Sequence, residues 1–175
     1  VWIKNENGTC TVINSSNPVV LQPASAPAIT NVASTNPTDC GVADGTITVS
    51  ATGGQGTYEY SNNGGSTWQA SNVFNALSGG TYQIRVRNDN ASCMVTYSDV
   101  TLTDKVQPSI TNVASSNVTD CNANDGTITI TASSAQGAIE YSIDGGSFWS
   151  QSGTFTNLTA GTYQIRVRNI DGSCE

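Results

Sequence analysis

Hydrophobic and polar residues alternate with a period of two along most of this 175-residue chain. Within residues 45–51, Ile47 and Val49 fall on one face of a strand, and Thr46, Thr48 and Ser50 fall on the other. Turns rich in Gly, Asn and Asp separate short runs of this kind, and no stretch shows the i, i+3, i+4 spacing of an amphipathic helix. The pattern predicts an all-β protein.

The same succession of strands and turns occurs twice, 81 residues apart. Residues 27–93 align with residues 108–174 without a gap, and 40 of the 67 aligned pairs are identical. The segment GTYQIRVRN, at residues 80–88, occurs unchanged in the second copy. A repeat of this length is a whole β domain rather than one rung of a solenoid. The sequence therefore predicts tandem domains of about 81 residues.

Both ends of the chain fall inside the repeat. The opening segment VWIKNENGTC aligns with residues 84–93, and the chain stops before a counterpart of residues 94–102. We therefore expect a piece of a longer array. Its predicted parts are the C-terminal strands of a preceding repeat at 1–26, a complete repeat at 27–107 and a repeat without its last strand at 108–175.

Each repeat contains six or seven short predicted strands. That number of strands in about 80 residues is typical of an immunoglobulin-like β-sandwich. The segments LSGGTY and LTAGTY, which precede a long strand in each copy, also predict a tyrosine corner. In that arrangement the hydroxyl groups of Tyr82 and Tyr163 would bond back to the backbone of the preceding turn.

The cysteines follow the repeat. Cys40 and Cys93 are 53 residues apart, and Cys121 and Cys174 have the same separation at the equivalent positions. We expect one intradomain disulfide in each repeat, and a partner for Cys10 in its own, earlier copy. The absence of His and of CxxC pairs argues against a metal cluster. Disulfides are typical of an oxidising compartment, so we expect an extracellular or cell-surface protein.

The composition of the chain argues against several classes of function. The net charge of −7 argues against nucleic-acid binding, which needs a basic surface. No apolar run approaches the roughly 18–20 residues of a membrane span, so no membrane insertion is expected. A chain without His, without a nucleophile elbow and without a phosphate-binding glycine loop is not expected to be an enzyme.

Two kinds of side chain could bind a ligand. Arg85 and Arg87 face outward on one strand, where they could grip the carboxylates of an anionic polysaccharide or simply pair with Glu59 on a neighbouring strand. Trp68 and Trp149 follow a hairpin turn, where each could stack on a sugar ring or fill the sandwich core. The sequence leaves both alternatives open.

An acidic loop repeats as well. Asp39 and Asp44 in the first copy correspond to Asp120 and Asp125 in the second. With the nearby segments NDN (88–90) and NID, these carboxylates could supply oxygen ligands for Ca²⁺. Asp-Gly is equally an ordinary turn signal, and no full calcium-loop pattern is present. Calcium is therefore a weak candidate, and no other cofactor is expected.

The combination C-x4-DGTI, Y-S-x-x-GG-x-x-W, F-x-x-L-x-x-GTY and a closing cysteine resembles the SprB-type repeat of very large cell-surface adhesins in gliding Bacteroidetes. The resemblance covers both main copies and the leading segment. In the first copy it rests on Cys40, Asp44, Gly45, Tyr60, Gly64, Gly65, Trp68, Phe74, Leu77, Gly80, Tyr82 and Cys93, and it has counterparts from Cys121 to Cys174 in the second.

This resemblance implies an exported, non-enzymatic adhesin that the type IX secretion system delivers and the gliding machinery carries along the cell surface. We therefore expect a stalk segment that gives reach and mechanical stability, with neighbouring repeats as its partners. The alternative is an array of carbohydrate-binding modules in a secreted protein that binds or degrades polysaccharide. In that case an extracellular polysaccharide would be the ligand.

Overall fold

The computed structural model describes residues 2–4, 11–13 and 23–175. The described residues form strands joined by turns, so the all-β prediction is confirmed, and they include no helix long and apolar enough to span a membrane. The strands are β1 (Trp2–Lys4), β2 (Thr11–Ile13), β3 (Pro27–Thr35), β4 (Gly45–Gly53), β5 (Tyr58–Ser61), β6 (Val73–Leu77), β7 (Gly80–Tyr82), β8 (Arg85–Asn88), β9 (Val95–Thr96), β10 (Val100–Leu102), β11 (Ser109–Ser116), β12 (Gly126–Ser133), β13 (Ile139–Ser142), β14 (Thr154–Leu158) and β15 (Arg166–Asn169).

Strands β3 to β10 form a first unit of antiparallel sheets. One sheet has the order β3-β4-β6, a second has the order β5-β8-β9, and β7 pairs with β10 at one side. The alternating residues of β4 turn Ile47 and Val49 inward, where neither has any exposed surface, and β8 contributes Val86 to the same cluster. The core therefore lies between the two three-stranded sheets, as the period of two predicts.

Strands β11 to β15 form a second unit with its own core. The sheet β11-β12-β14 repeats β3-β4-β6, and the pair β13-β15 repeats β5-β8 in the same register. Ile128 and Ile130 of β12 pack with Ile139 and Val167 of the facing pair. Each unit thus buries its own small cluster of apolar residues, and the exact repeat boundaries of 27–107 and 108–175 stay a prediction.

The second unit is more open than the first. Among the described residues, no strand follows β15 to match β9 and β10. In the first unit Leu102 of β10 is buried and lies beside Gly45 of β4. A groove of about 540 Å³ lies beside the equivalent Gly126, and Val113 on its wall is 43% exposed. The open groove thus corresponds to the strand position that β10 fills in the first unit.

The two predicted tyrosine corners are confirmed. The hydroxyl of Tyr82 donates to the carbonyl of Ser78 at 2.8 Å, and that of Tyr163 donates to the carbonyl of Thr159 at the same distance. Each bond closes the turn before the strand that leads to the last cysteine of its repeat. The tyrosines therefore serve as scaffold.

Strands β1 and β2 pair with each other in antiparallel fashion. Trp2 pairs with Ile13, and Ile3 pairs with Val12. In the alignment of the repeats these residues fall on the β8–β9 partners, which are Arg85 with Thr96 and Val86 with Val95. The earlier copy at 1–26 stays a prediction, and Cys10 lies outside the described residues.

The first core makes a prediction about stability. Ile84 has no exposed surface, so truncation to alanine leaves a cavity, and Ile84→Ala should lower the free energy of unfolding by about 2–5 kcal/mol. Ile110, which is 41% exposed on β11, is the matched control, and Ile110→Ala should cost less than about 1 kcal/mol. Urea titration followed by tryptophan fluorescence measures both, and equal losses would contradict the assignment of the core.

Candidate functional site

The disulfide joins the two units rather than the ends of one repeat. Cys40 is bonded to Cys174, with 5.1 Å between their Cα atoms, while Cys93 and Cys121 are free thiols. The predicted pairs Cys40–Cys93 and Cys121–Cys174 are therefore wrong, and so is the expectation of one intradomain disulfide in each repeat.

The cysteines pair in this way because of their positions at the two ends of each unit. Cys40 follows β3 in a loop whose Asn36 side chain accepts a bond from the backbone N–H of Thr103, where the chain leaves the first unit. Cys93 follows β8 at the opposite end, where the chain enters the unit. Cys174 lies at the equivalent entrance of the second unit, and that entrance faces the exit of the first.

Asp39 reinforces the bond. Its Oδ1 atom accepts the backbone N–H of Cys40 at 2.7 Å and the backbone N–H of Cys174 at 2.6 Å. One carboxylate thus holds the backbones of both half-cystines. In the second unit Asp120 accepts the N–H of Cys121 at 2.7 Å in the same way. Asp39, which the sequence suggested as a calcium ligand, is a structural part of the contact between the units.

The short linker at residues 103–107 is held from both sides. On the first unit, the side chain of Asp104 accepts the backbone N–H of Gly79. On the second unit, Gln136 accepts the N–H of Val106 at 3.1 Å and donates to the carbonyl of Asp104 at 2.9 Å. Lys105 also forms an ion pair with Asp171. We call the linker, the loop 36–44 and the loop 170–175 together the junction.

Two asparagines hold the chain where it enters each unit. Asn169 is 3% exposed, and its amide donates to the carbonyl of Val106 at 3.1 Å. Asn88 is fully buried, and its amide donates to the carbonyl of Ser25 at 3.0 Å. The sequence suggested both only as possible calcium ligands, so this role was not predicted. The signal was present, because the same asparagine follows RVR in both copies.

The remaining carboxylates of the acidic loops bind within their own loops. Asp44 accepts the backbone N–H of Thr38 at 2.8 Å and its hydroxyl at 2.5 Å, and Asp125 and Thr119 repeat the arrangement. These bonds, the hydroxyl bond first, lower the pKa of Asp44 and of Asp125 below the usual range. The two carboxylates therefore fix the loop that presents the cysteine.

The described residues contain one cluster of three potential metal ligands, formed by Asp39, Cys40 and Cys174. Both of its sulfur atoms are joined in the disulfide, so they are not available as thiolates. Calcium binding by the acidic loops stays a prediction.

The arginines and tryptophans form a stack in each unit. The guanidinium of Arg87 lies 4.1 Å from the ring centroid of Trp68, and its Nη2 atom is 2.7 Å from a carboxylate oxygen of Glu59. Arg168, Trp149 and Glu140 repeat this geometry, with 4.1 Å for the stack and 2.8 Å for the ion pair. Each tryptophan is half-buried, and one face of its ring is covered by an arginine.

Arg85 has a different environment from Arg87. Its Nε atom is buried without a hydrogen-bond partner among the described residues, and its Nη1 atom contacts the sulfur of Met94 at 3.8 Å. The equivalent Arg166 is exposed and pairs with Glu175. The structure therefore does not place Arg85 and Arg87 as a matched pair of carboxylate-binding groups, since only Arg87 pairs with Glu59.

An open groove of about 500 Å³ lies beside Trp68. Its walls combine the aromatic rings of Tyr60, Trp68 and Phe74 with the polar side chains of Gln69 and Asn75. A groove with an aromatic wall and polar groups is the kind of surface on which a sugar ring can stack. Binding of a polysaccharide by Trp68 or Trp149 stays a prediction.

A known family model matches part of each repeat. Residues 31–67 and 112–148 match the family model described as "SprB repeat". These two stretches run from β3 and β11 through the hairpin turns that precede Trp68 and Trp149. No curated protein sequence matches the chain.

A solved structure with partial similarity is the C-terminal 282-residue fragment of intimin in complex with the intimin-binding domain of the translocated intimin receptor. The superposition covers 83% of this chain and 61% of that fragment, at 16% sequence identity and a TM-score of 0.40. The chain thus spans less than two thirds of the intimin fragment.

The Arg87–Glu59 pair makes a prediction about coupling. Because both side chains are partly exposed, a double-mutant cycle with Arg87→Gln and Glu59→Gln should give a coupling energy of about 0.5–1 kcal/mol. The control cycle combines Glu59→Gln with Arg85→Gln and should give a value near zero. A larger coupling in the Arg85 cycle would contradict the assigned pairing.

The junction makes a prediction about pH. The hydrogen bond from Lys105, with those from Ser173, holds the pKa of Asp171 well below its usual value of 3.8. A lowered pKa in the folded state stabilises the protein above pH 3.8, and this stabilisation is lost as the pH falls through the folded-state pKa. The stability difference between wild type and Asp171→Asn should therefore be constant near neutral pH and shrink below pH 3.8.

Urea unfolding across a pH series measures this difference. Asp99→Asn is the control, because the exposed Asp99 makes no side-chain hydrogen bond among the described residues, and its effect should stay small at every pH. A difference for Asp171→Asn that grows with acid would contradict the sign of the shift.

Proposed function

The chain contains two SprB repeats, and on that premise we propose that it is a non-enzymatic stalk segment of a secreted cell-surface adhesin. In this role the repeats give reach and carry mechanical load between an anchored end and an adhesive end. The finer proposal, taken from the resemblance to SprB-type repeats, is an adhesin of gliding Bacteroidetes that the type IX secretion system exports.

The observation that carries the proposal is the covalent bond across the junction. A force applied to the two ends of the chain passes from residue 40 to residue 174 through the disulfide, so it bypasses most of both units. The polar contacts of the linker support the same junction from both sides. An arrangement of this kind suits a protein under tension.

The chemistry of the repeats fits a scaffold. The side chains that could have bound a ligand are largely bound to one another, since Arg87 bridges Trp68 and Glu59, and Asp44 binds Thr38. The disulfide also supports a location outside the cytoplasm, because such bonds persist in oxidising compartments. We therefore place the segment at the bacterial cell surface.

The alternative function is polysaccharide binding by an array of these units. The groove beside Trp68 favours it, because an aromatic ring and two side-chain amides meet there at the surface. Under this hypothesis the partner is an extracellular polysaccharide, and the stalk role is secondary. Under both hypotheses the neighbouring repeats of the same chain are also partners.

Single-molecule stretching of the chain by its two ends tests the mechanical role. In oxidising buffer the residues outside the Cys40–Cys174 loop limit the extended length to about 140 Å, at ~3.4 Å per residue. After reduction the length should rise to about 600 Å. Intradomain pairing would instead allow about 235 Å in oxidising buffer, because the residues between the two loops would also extend.

Binding to a panel of soluble polysaccharides separates the stalk from its alternative. The stalk proposal expects no saturable binding by the oxidised chain, and Trp68→Ala should leave the result unchanged. Saturable binding that is lost in Trp68→Ala, and kept in the control Phe148→Ala, would favour the carbohydrate-binding function. Phe148 is a suitable control because it is an exposed aromatic residue in the second unit.

A further inference from the structure

We infer that Cys93 and Cys121 are the open ends of a series of disulfides that link each repeat to the next. In this series the first cysteine of one repeat bonds to the closing cysteine of the repeat that follows it. Cys40 and Cys174 form one such link, which is complete within this chain. The inference rests on the proposed place of the chain in a longer array.

Cys121 has the surroundings of the bonded Cys40. The carboxylate of Asp120 accepts the N–H of Cys121 as that of Asp39 accepts the N–H of Cys40, and both distances are 2.7 Å. Asp39 also accepts a hydrogen bond from the N–H of Cys174, whereas no second N–H group among the described residues donates to the carboxylate of Asp120. The second unit thus presents the same half of the link at its far end, with an exposed thiol.

Cys93 has the same backbone conformation as the bonded Cys174. Both residues lie in the left-handed region, with φ of 52° for Cys93 and 59° for Cys174. The turns before them are closed alike, because Asn88 donates its backbone N–H to Ser92 at 3.1 Å and Asn169 donates to Ser173 at 3.0 Å. The first unit therefore presents the other half of the link at its entrance.

The two free thiols belong to different links. Cys93 follows the turn closed by Asn88 and Ser92, and Asn88 also binds the carbonyl of Ser25 where the chain enters the first unit. Cys121 lies in the loop after β11, which is the counterpart of the Cys40 loop at the exit of a unit. Neither thiol takes part in the bond at the occupied junction, so the fitting partner of each is a cysteine of another copy of the repeat.

Each link forms by thiol–disulfide exchange. Two thiols lose two protons and two electrons as one S–S bond forms, and the electrons reduce the disulfide of an oxidant to two thiols. The oxidant required is a disulfide, such as oxidised glutathione in the test tube or a dithiol oxidase in the compartment of export.

The disulfides of such a series interleave. The loop closed by one disulfide, such as Cys40–Cys174, contains the cysteine that begins the next disulfide, here Cys121. A covalent path along the array then crosses one link, follows a stretch equivalent to the 28 residues from Cys93 to Cys121, and crosses another link. Each pair of repeats could lengthen only to about 100 Å, against about 550 Å without links. Intradomain disulfides would allow about 190 Å over the same two repeats.

Thiol labelling of two serine variants of this chain tests the pairing. In Cys40→Ser the new free thiol should be Cys174, and in the control Cys121→Ser no new thiol should appear. Intradomain pairing predicts the opposite pattern, with Cys93 released in the first variant and Cys174 in the second. Peptide mass spectrometry after labelling with a maleimide identifies the thiol, and release of Cys93 by Cys40→Ser would overturn the inference.

Disulfide mapping of the oxidised full-length protein tests the series and needs no variant. The expected result is a peptide that joins Cys93 to the first cysteine of the preceding repeat, and one that joins Cys121 to the closing cysteine of the following repeat. Cys93 or Cys121 found as a free thiol, or bonded within its own repeat, would overturn the inference. Polysaccharide binding would instead sink the stalk function and leave this disulfide map unchanged.

Discussion

The covalent bond between Cys40 and Cys174 is the constraint on which the arrangement of the two units depends. Each unit has only a small core, and β domains of this size bury too little apolar surface to be very stable alone. A bond that closes a loop across 134 residues removes about 5 kcal/mol of chain entropy from the unfolded state in the loop-closure model. Because this loop contains parts of both units, the stabilisation is shared between them.

The polar groups of the junction explain how two distant cysteines are brought to bonding distance. Asn169 holds the linker against the second unit, Asn36 holds it against the first, and Asp39 accepts an N–H from each half-cystine. A buried asparagine is costly unless its amide is satisfied, and Asn88 and Asn169 meet that requirement by binding the chain that enters their unit. The entrance of each unit therefore fixes the direction of the chain through contacts that do not involve the disulfide.

Features that depend on local periodicity could be predicted from the sequence. Alternation placed Ile47 and Val49 in the core, and the LxxGTY segment predicted both tyrosine corners. Pairing of the outward arginines with Glu59 was one of two open alternatives, and Arg87 makes that pair. The cysteine pairing could not be predicted in this way. In a tandem repeat, the two cysteines within each copy have the same separation in every copy. That separation does not tell at which end of a sandwich each cysteine lies. The bonding partner across a junction lies at the facing end of the next unit.

The outward stack of tryptophan, arginine and glutamate joins separate parts of the chain in each unit. Arg87 neutralises Glu59 while its flat guanidinium covers Trp68, so two strands and the segment after the hairpin turn are joined by one side chain. The stack recurs in the second unit with the same 4.1 Å spacing, although the residues at its edges differ. Because Glu59 lies on β5 and Arg87 on β8, the side-chain stack couples these neighbouring strands beyond their backbone hydrogen bonds.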